Sequence, residues 1–358
     1  MRLASLLLAS AVALAPALAS AAELHVYNWA DYIAPDTVAR FEAETGIKVT
    51  YDVYDSNEVL EAKLLAGNSG YDVVVPTSTF LRRQIPAGVY RPLDRAKLPN
   101  WDNLDPMLMA GAEADDPGNA HAVIYLWGTN GLGYNVGKVR ERLGEDAPTD
   151  SWALVFDPEY ASKLADCGIT MLDTASEMVP LALAWLGLPP DSMKPEDLDK
   201  VAALFAAIRP YVRYFNAVQY NNDLASGEVC VSVGFSGDVF VAADQAADGI
   251  EIAYSVPKEG AMLWFDMLAI PADAPHPDAA HAFIDFLLRP EIIAGITNAV
   301  FYPNANARAA PLVDPAILSD PAIYPTPEVM ARLFPQPVHD ARDDRTLTRL
   351  WTRVRTGQ

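Results

Sequence analysis

The chain has 358 residues, 51% of them hydrophobic, with 26 basic against 47 acidic side chains and a formal net charge of −21. That length and apolar content support two domains with substantial cores. So much negative charge excludes nucleic acid and anionic membrane surfaces as main partners, since both repel it; it suits a cationic ligand and equally serves solubility.

Residues 1–22 carry one basic side chain, Arg2, then an apolar run from Leu3 and mostly small residues from Ala17 to Ala22. The run is too short to anchor in a bilayer and ends in residues that a signal peptidase accepts, so it reads as a secretory signal peptide. No cysteine lies at the cleavage point, so no lipid anchor is expected.

Leu24–Trp29 reads as a strand, Ala30–Pro35 as a turn, and Thr37–Thr45 as a helix stopped by Gly46. Ile47, Val49, Tyr51 and Val53 alternate with polar residues, the pattern of a half-buried strand. Ser56 or Asn57 caps a helix bearing Val59, Leu60, Leu64 and Leu65, which ends at Gly67. Tyr71–Pro76 is nearly all apolar, as in a strand covered on both faces of a parallel sheet. Repeated strand–helix units predict a doubly wound α/β domain. Its ligands would sit outside the carboxyl ends of the strands, at Trp29–Tyr32 and Thr77–Phe80.

Leu98–Asn119, rich in Pro, Asp and Gly, reads as a loop, and Gly128–Asn135 as a crossover strand with glycines suited to a hinge. A second α/β region starts near Asn135, with strands Ile169–Leu172 and Glu228–Phe235 and a helix Glu177–Leu186. Met262–Met267 and a helix over Ala279–Leu288 return the chain to the first domain. Thr346–Thr356 alternates basic and apolar residues and reads as a solvated terminal helix.

Cys167 and Cys230 are an even pair in an exported chain, for which one disulfide is the default reading and a pair of buried thiols the alternative. The five histidines are scattered without metal-ligand spacing, so neither a metal nor another cofactor is expected. Gly234-Phe235-Ser236-Gly237-Asp238 superficially resembles a nucleophile elbow, but its second glycine comes one position early. With no histidine clearly placed as a base, a secreted hydrolase using Ser236 or a carboxylate pair is the weaker rival. Gly128–Gly133 lacks the Gly-Lys-Ser/Thr of a phosphate loop, and Asp115–Asn119 lacks the alternating ligands of a calcium loop.

What recurs is an aromatic beside a carboxylate at strand ends: Trp29 with Asp31 and Tyr32, Phe235 with Asp238, Trp264 with Asp266. Glu177 opens a helix just after a strand. Each alone is a core aromatic plus a helix cap. Together they suit an alkyl-ammonium ligand, whose lost hydration only a close carboxylate offsets and whose methylenes and cations pack on aromatic faces.

With these residues, the chain closely resembles the periplasmic polyamine-binding proteins of ABC transporters, above all their putrescine branch. The likeness runs through Val26–Pro35, Val74–Pro76, Trp127–Asn135, Gly237–Val239, Val256–Ala261 and Asn304–Asn306. The resemblance implies an α/β, two-lobe solute-binding protein of type II with discontinuous lobes and a hinge. Residues 23–133 with 258–304 would form the amino-terminal lobe, and 137–250 with 305–358 the carboxy-terminal lobe. It implies a periplasmic monomer that captures putrescine and/or spermidine, delivers it to permease subunits and does no chemistry on it. A receptor for another cationic solute, an amino acid or a guanidine, is the nearer alternative.

Residue by residue, the resemblance implies that Trp29 and Tyr32 pack on the ligand, with Asp31, Thr77 and Thr79 on the amino-terminal side of the cleft. Glu177 and Asp238 would come from the second lobe, and Trp264 with Asp266 from the return segment, Asp266 as the central ammonium partner. Tyr302 and Gln336 fit the remaining positions, and Cys167 and Cys230 match the disulfide of the putrescine branch. The departures bear on specificity. Ala30 replaces a usual hydroxyl residue, Phe235 replaces a usual Trp, and Thr174 stands where spermidine receptors tend to have an Asp. Trp264 and Gln336 are spermidine-like, Asp238 putrescine-like.

Overall fold

The computed structural model describes residues 22–357. The expected signal peptide therefore lies, but for its last residue, outside the described residues. Among them ten strands occur: β1 Glu23–Trp29, β2 Lys48–Tyr54, β3 Val73–Val74, β4 Ala122–Asn135, β5 Ile169–Met171, β6 Val212–Phe215, β7 Val231–Phe235, β8 Ile252–Ser255, β9 Ala261–Ala269 and β10 Leu333–Pro335. They run in the order β2-β1-β3-β9-β4-β7-β5-β6, with β8 beside β4 and β10 beside β9. β1 is parallel to β2 and β3, and β5 is parallel to β6 and β7, while β9-β4-β7 is antiparallel. Two parallel α/β halves are thus joined through an antiparallel centre.

Sequence dictates the first half directly. Val73, Val74 and Val75 are fully buried, as an all-apolar strand between two helix layers requires. Thr37–Thr45 folds as a helix, and Gly46, at φ 72°, supplies its left-handed stop. Ser56 caps the helix Asn57–Leu65, accepting from the Val59 N–H. That helix buries Leu60 and Leu64 but leaves Val59 and Leu65 in solvent, so its apolar face is narrower than expected. The stretch 98–119 is less of a loop than its composition suggests. Proline at the first turns and Asp105 as a cap, accepting from Met107 and Leu108 N–H, organise Pro99–Asn103 and Pro106–Ala112 as helical turns.

Two apolar cores form. The first centres on Phe41, Phe283 and Phe286; the second holds Trp152, Phe156, Phe205 and Trp351. Ala305, Ala309, Val313, Ile317 and Ile323 pack in the first core, so the chain from 305 to about 323 stays with the amino-terminal side, where the carboxy-terminal side was expected. The segment follows directly from Tyr302, and bridges from Asn304 to Leu126 and from Asn306 to Leu104 tie its start to that side. The terminal helix, Ala341–Thr356, is not merely solvated: Leu347, Leu350, Trp351 and Val354 are buried in the second core. The Trp351 Nε1–H donates to the Asp173 carbonyl at 2.8 Å.

β4 runs unbroken through both halves, pairing with β9 over 122–129 and with β7 over 130–134. Its glycines admit close packing. A side chain at Gly128 would start 2.8 Å from the Trp264 ring, at Gly131 2.5 Å from Tyr254, and at Gly133 2.6 Å from Val239. In the second half Cys167 and Cys230 form a disulfide across a separation of 63 residues, with Cα atoms 5.5 Å apart. The bridge ties the segment before β5 to the residue before β7.

Candidate functional site

A cleft with about 560 Å3 of empty space lies where the strand ends of the two halves meet. Trp29, Asp31 and Tyr32 reach it from the end of β1, Thr77 from just beyond β3, and Glu177 from the first turn of the helix Ala175–Trp185. Phe235 and Asp238 come from the end of β7 and the start of the helix Ser236–Asp244. Trp264 and Asp266 are two apart on β9, so both side chains leave the same face of the strand. Tyr302 and Gln336 complete the wall. Asp31 holds φ 53°, a left-handed conformation that Asp tolerates and that turns the chain sharply at the cleft.

Of the twelve binding residues anticipated from sequence, Thr79 alone does not reach the cleft wall. It sits one layer behind, its hydroxyl donating to Gln336 Oε1 at 3.0 Å. Sequence reasoning missed Tyr54, Asp55, Ala217, Val218 and Asn221, all of which line the cleft. Tyr54 and Asp55 repeat the aromatic–carboxylate pattern at the end of β2 and were findable by it. Ala217–Asn221 follow β6, a four-residue strand with only one buried residue and so without a readable pattern.

The aromatic walls are continuous. Tyr302 meets Tyr32 at 5.0 Å and Trp264 at 5.5 Å between ring centres, and Phe235 stands edge-on to Trp264 at 5.9 Å. Trp29 is fixed from behind by a 2.9 Å hydrogen bond to the Val75 carbonyl.

The carboxylates are held by neutral donors. Thr77 Oγ1 donates to Asp266 Oδ1 at 2.7 Å and itself accepts from Asn57 Nδ2 at 2.9 Å. Asn130 Nδ2 donates to Glu177 Oε2 at 2.6 Å. Tyr302 and Tyr220 hydroxyls donate to the two oxygens of Asp238 at 2.7 and 2.9 Å. Desolvation nonetheless pushes Asp266 up to about 7, the Thr77 hydroxyl opposing it. Burial takes Glu177 to about 8, and Asp238, which keeps partial solvent contact, to about 6. No Lys, Arg or His lines the cleft among the described residues. The site therefore presents several desolvated acids and no internal counter-charge, an arrangement that a cation stabilises and an anion does not.

Across the rim the halves are clasped. Arg83, from the helix Ser78–Gln84, pairs with Glu61 and, at 2.7 Å, with Asp344 of the terminal helix. Ser176 Oγ donates to Glu58 at 2.8 Å. Ser236, the serine of the elbow-like motif, is buried, its Oγ accepting from the Thr129 N–H at 3.4 Å.

Comparison with known proteins places this geometry. The chain is 54% identical over 338 residues to a putrescine-binding periplasmic protein of Pseudomonas aeruginosa, covering 94% of this chain and 92% of the relative. It is 51% identical over 339 residues to the putrescine-binding periplasmic protein of Escherichia coli, with the same coverages. Among solved structures, the spermidine/putrescine ABC transporter substrate-binding protein of Streptococcus pneumoniae superposes with a TM-score of 0.76 at 29% identity, covering 94% of this chain and 99% of that one. Residues 36–326 match the family described as bacterial extracellular solute-binding protein. With two α/β halves around an acidic, aromatic cleft, the chain belongs to the bacterial extracellular solute-binding proteins.

Proposed function

We propose that the chain is the periplasmic binding component of a polyamine ABC importer, capturing putrescine and/or spermidine in this cleft and handing it unchanged to permease subunits. One observation carries the reading: the cleft is lined by Asp31, Asp55, Glu177, Asp238 and Asp266 with aromatic walls and no basic side chain. A ligand with two or more cations separated by methylenes satisfies such walls. An amino acid satisfies them less well, because its carboxylate would enter a cleft that holds several acids and no basic side chain. The names of the relatives agree with an amine ligand. No helix of the described residues is long and apolar enough to cross a membrane. The protein works as a monomer, closing its two halves over one ligand.

Calorimetry with putrescine, spermidine, agmatine and arginine tests the reading, with mass spectrometry of the recovered ligand. Heat is expected from putrescine and spermidine, with unchanged mass. Silence from both amines, or a modified product, would sink it.

A further inference from the structure

Asp238 is held by a pair of relays that run through two phenols. The Phe235 N–H donates to the Tyr220 hydroxyl at 2.9 Å, and that hydroxyl donates to Asp238 Oδ2 at 2.9 Å. The Asp238 N–H donates to the Tyr302 hydroxyl at 3.2 Å, and that hydroxyl donates to Asp238 Oδ1 at 2.7 Å. Each phenol already receives a backbone proton, so its own proton points at the carboxylate. Both donors fit a carboxylate; in a carboxylic acid the protonated oxygen is the poorer acceptor, which would weaken one relay. Asp238 also lies in the first turn of the helix Ser236–Asp244, where the helix dipole favours an anion.

Tyr302 lines the cleft, but Tyr220 does not; it is fully buried behind Asp238. Its ring occupies space opened by Gly234, where a side chain would start 2.5 Å from the Tyr220 ring. We propose that Tyr220 is a positioning residue, whose hydroxyl holds the Asp238 carboxylate ionised and aimed at the cleft before any ligand arrives. Other titratable groups around this pair are Asp31, from the turn after β1, which opposes ionisation of Asp238; Tyr32, which packs on Tyr302; and Tyr254, which neighbours Tyr220. Burial raises all three acids, and least Asp238, which keeps partial solvent contact and has two phenol donors: it titrates at about 6, below Asp266 at about 7 and Glu177 at about 8.

This inference rests on the amine-binding reading, and two measurements separate the fates of the two. In the first, putrescine affinity is followed by calorimetry from pH 6 to pH 8.5 for the wild-type protein and for Tyr220→Phe. Raising Asp238 to the level of Asp266 cuts its ionised fraction at pH 6 from about one half to about one eleventh, so the variant loses about fivefold more affinity at pH 6 than at pH 8.5. A loss of equal size at every pH assigns Tyr220 a packing role only and overturns the proposal, whereas a wild-type protein that ignores putrescine overturns the ligand reading instead. The second needs neither ligand nor a folded variant: NMR titration of the Asp238 and Asp266 carboxyl carbons in the empty wild-type protein. Asp238 is expected to titrate below Asp266, and the reverse order overturns the proposal.

Discussion

Asp238 and Asp266 face the same cleft from opposite halves of the molecule, and burial acts on both. Asp238 has two phenol donors fed by backbone amides, and Asp266 has one threonine hydroxyl fed by an asparagine. The first site is built to be an anion when empty; the second hovers near neutrality until a cation arrives. The two acids differ both in exposure and in the donors behind them, and the two together set the charge state of a binding carboxylate.

The sharpest way to break this contrast is to remove the central acid. Asp266→Asn leaves a bound ammonium without its buried partner, a loss of about 3–5 kcal/mol or at least a hundredfold in affinity. Calorimetry with putrescine measures it, and a drop below tenfold in a folded variant would take Asp266 out of the site.

A second test uses pH. A bound cation favours the ionised acids, so binding should release protons and weaken as pH falls from 8 to 6, about tenfold from Asp266 alone at its empty-state value of about 7. The stability of the empty protein runs the other way. A carboxyl whose folded pKa lies above its unfolded value binds more protons folded than unfolded, so its contribution falls as pH rises from about 4 to about 7. The rise in melting temperature caused by putrescine should therefore be larger at pH 8 than at pH 5.5. Equal shifts would show that the acids are ionised in the empty cleft.

The rim clasp offers a smaller, uniform effect. Arg83 and Asp344 are partly exposed, so Asp344→Asn should cost about 1 kcal/mol or less of closure free energy. Putrescine and spermidine should weaken by the same factor, and a changed ratio would mean that Asp344 senses ligand identity. Smallest is the selectivity change. Trp264→Phe trims a stacking face and should move the spermidine-to-putrescine ratio toward putrescine by about 0.5–1 kcal/mol. An unmoved ratio would clear Trp264 of any part in discrimination.

Much of this site was legible because its residues sit where simple periodicities end. Trp264 and Asp266 share a strand face by the two-residue repeat, and Trp29, Asp31 and Tyr32 mark the close of an alternating strand. What escaped depends on partners distant in sequence. Tyr220 has no local signal, since its meaning comes from a hydroxyl that meets Asp238 eighteen residues on. Thr79 sits beside Thr77, yet one hydroxyl turns to Asp266 and the other to Gln336, a difference set by the bridge between Thr77 and β9. The glycines of β4 were readable as glycines, but whether they bend or admit neighbours depends on Trp264, Tyr254 and Val239. The placement of 305–323 was likewise decided by packing rather than by any boundary in composition.

That long central strand carries one more consequence. Fourteen residues at about 3.3 Å each span about 46 Å, and one end of the strand belongs to each half. Neither half is a severable module. A gene fragment ending at Asn135 would encode β4 without β9 on one flank or β7 on the other, leaving bare edges that recruit a second copy into aggregates. Fusion partners, reporter insertions and permuted termini therefore belong on the outer helices, and a recombinant single lobe would have to be stitched from non-adjacent pieces of the gene.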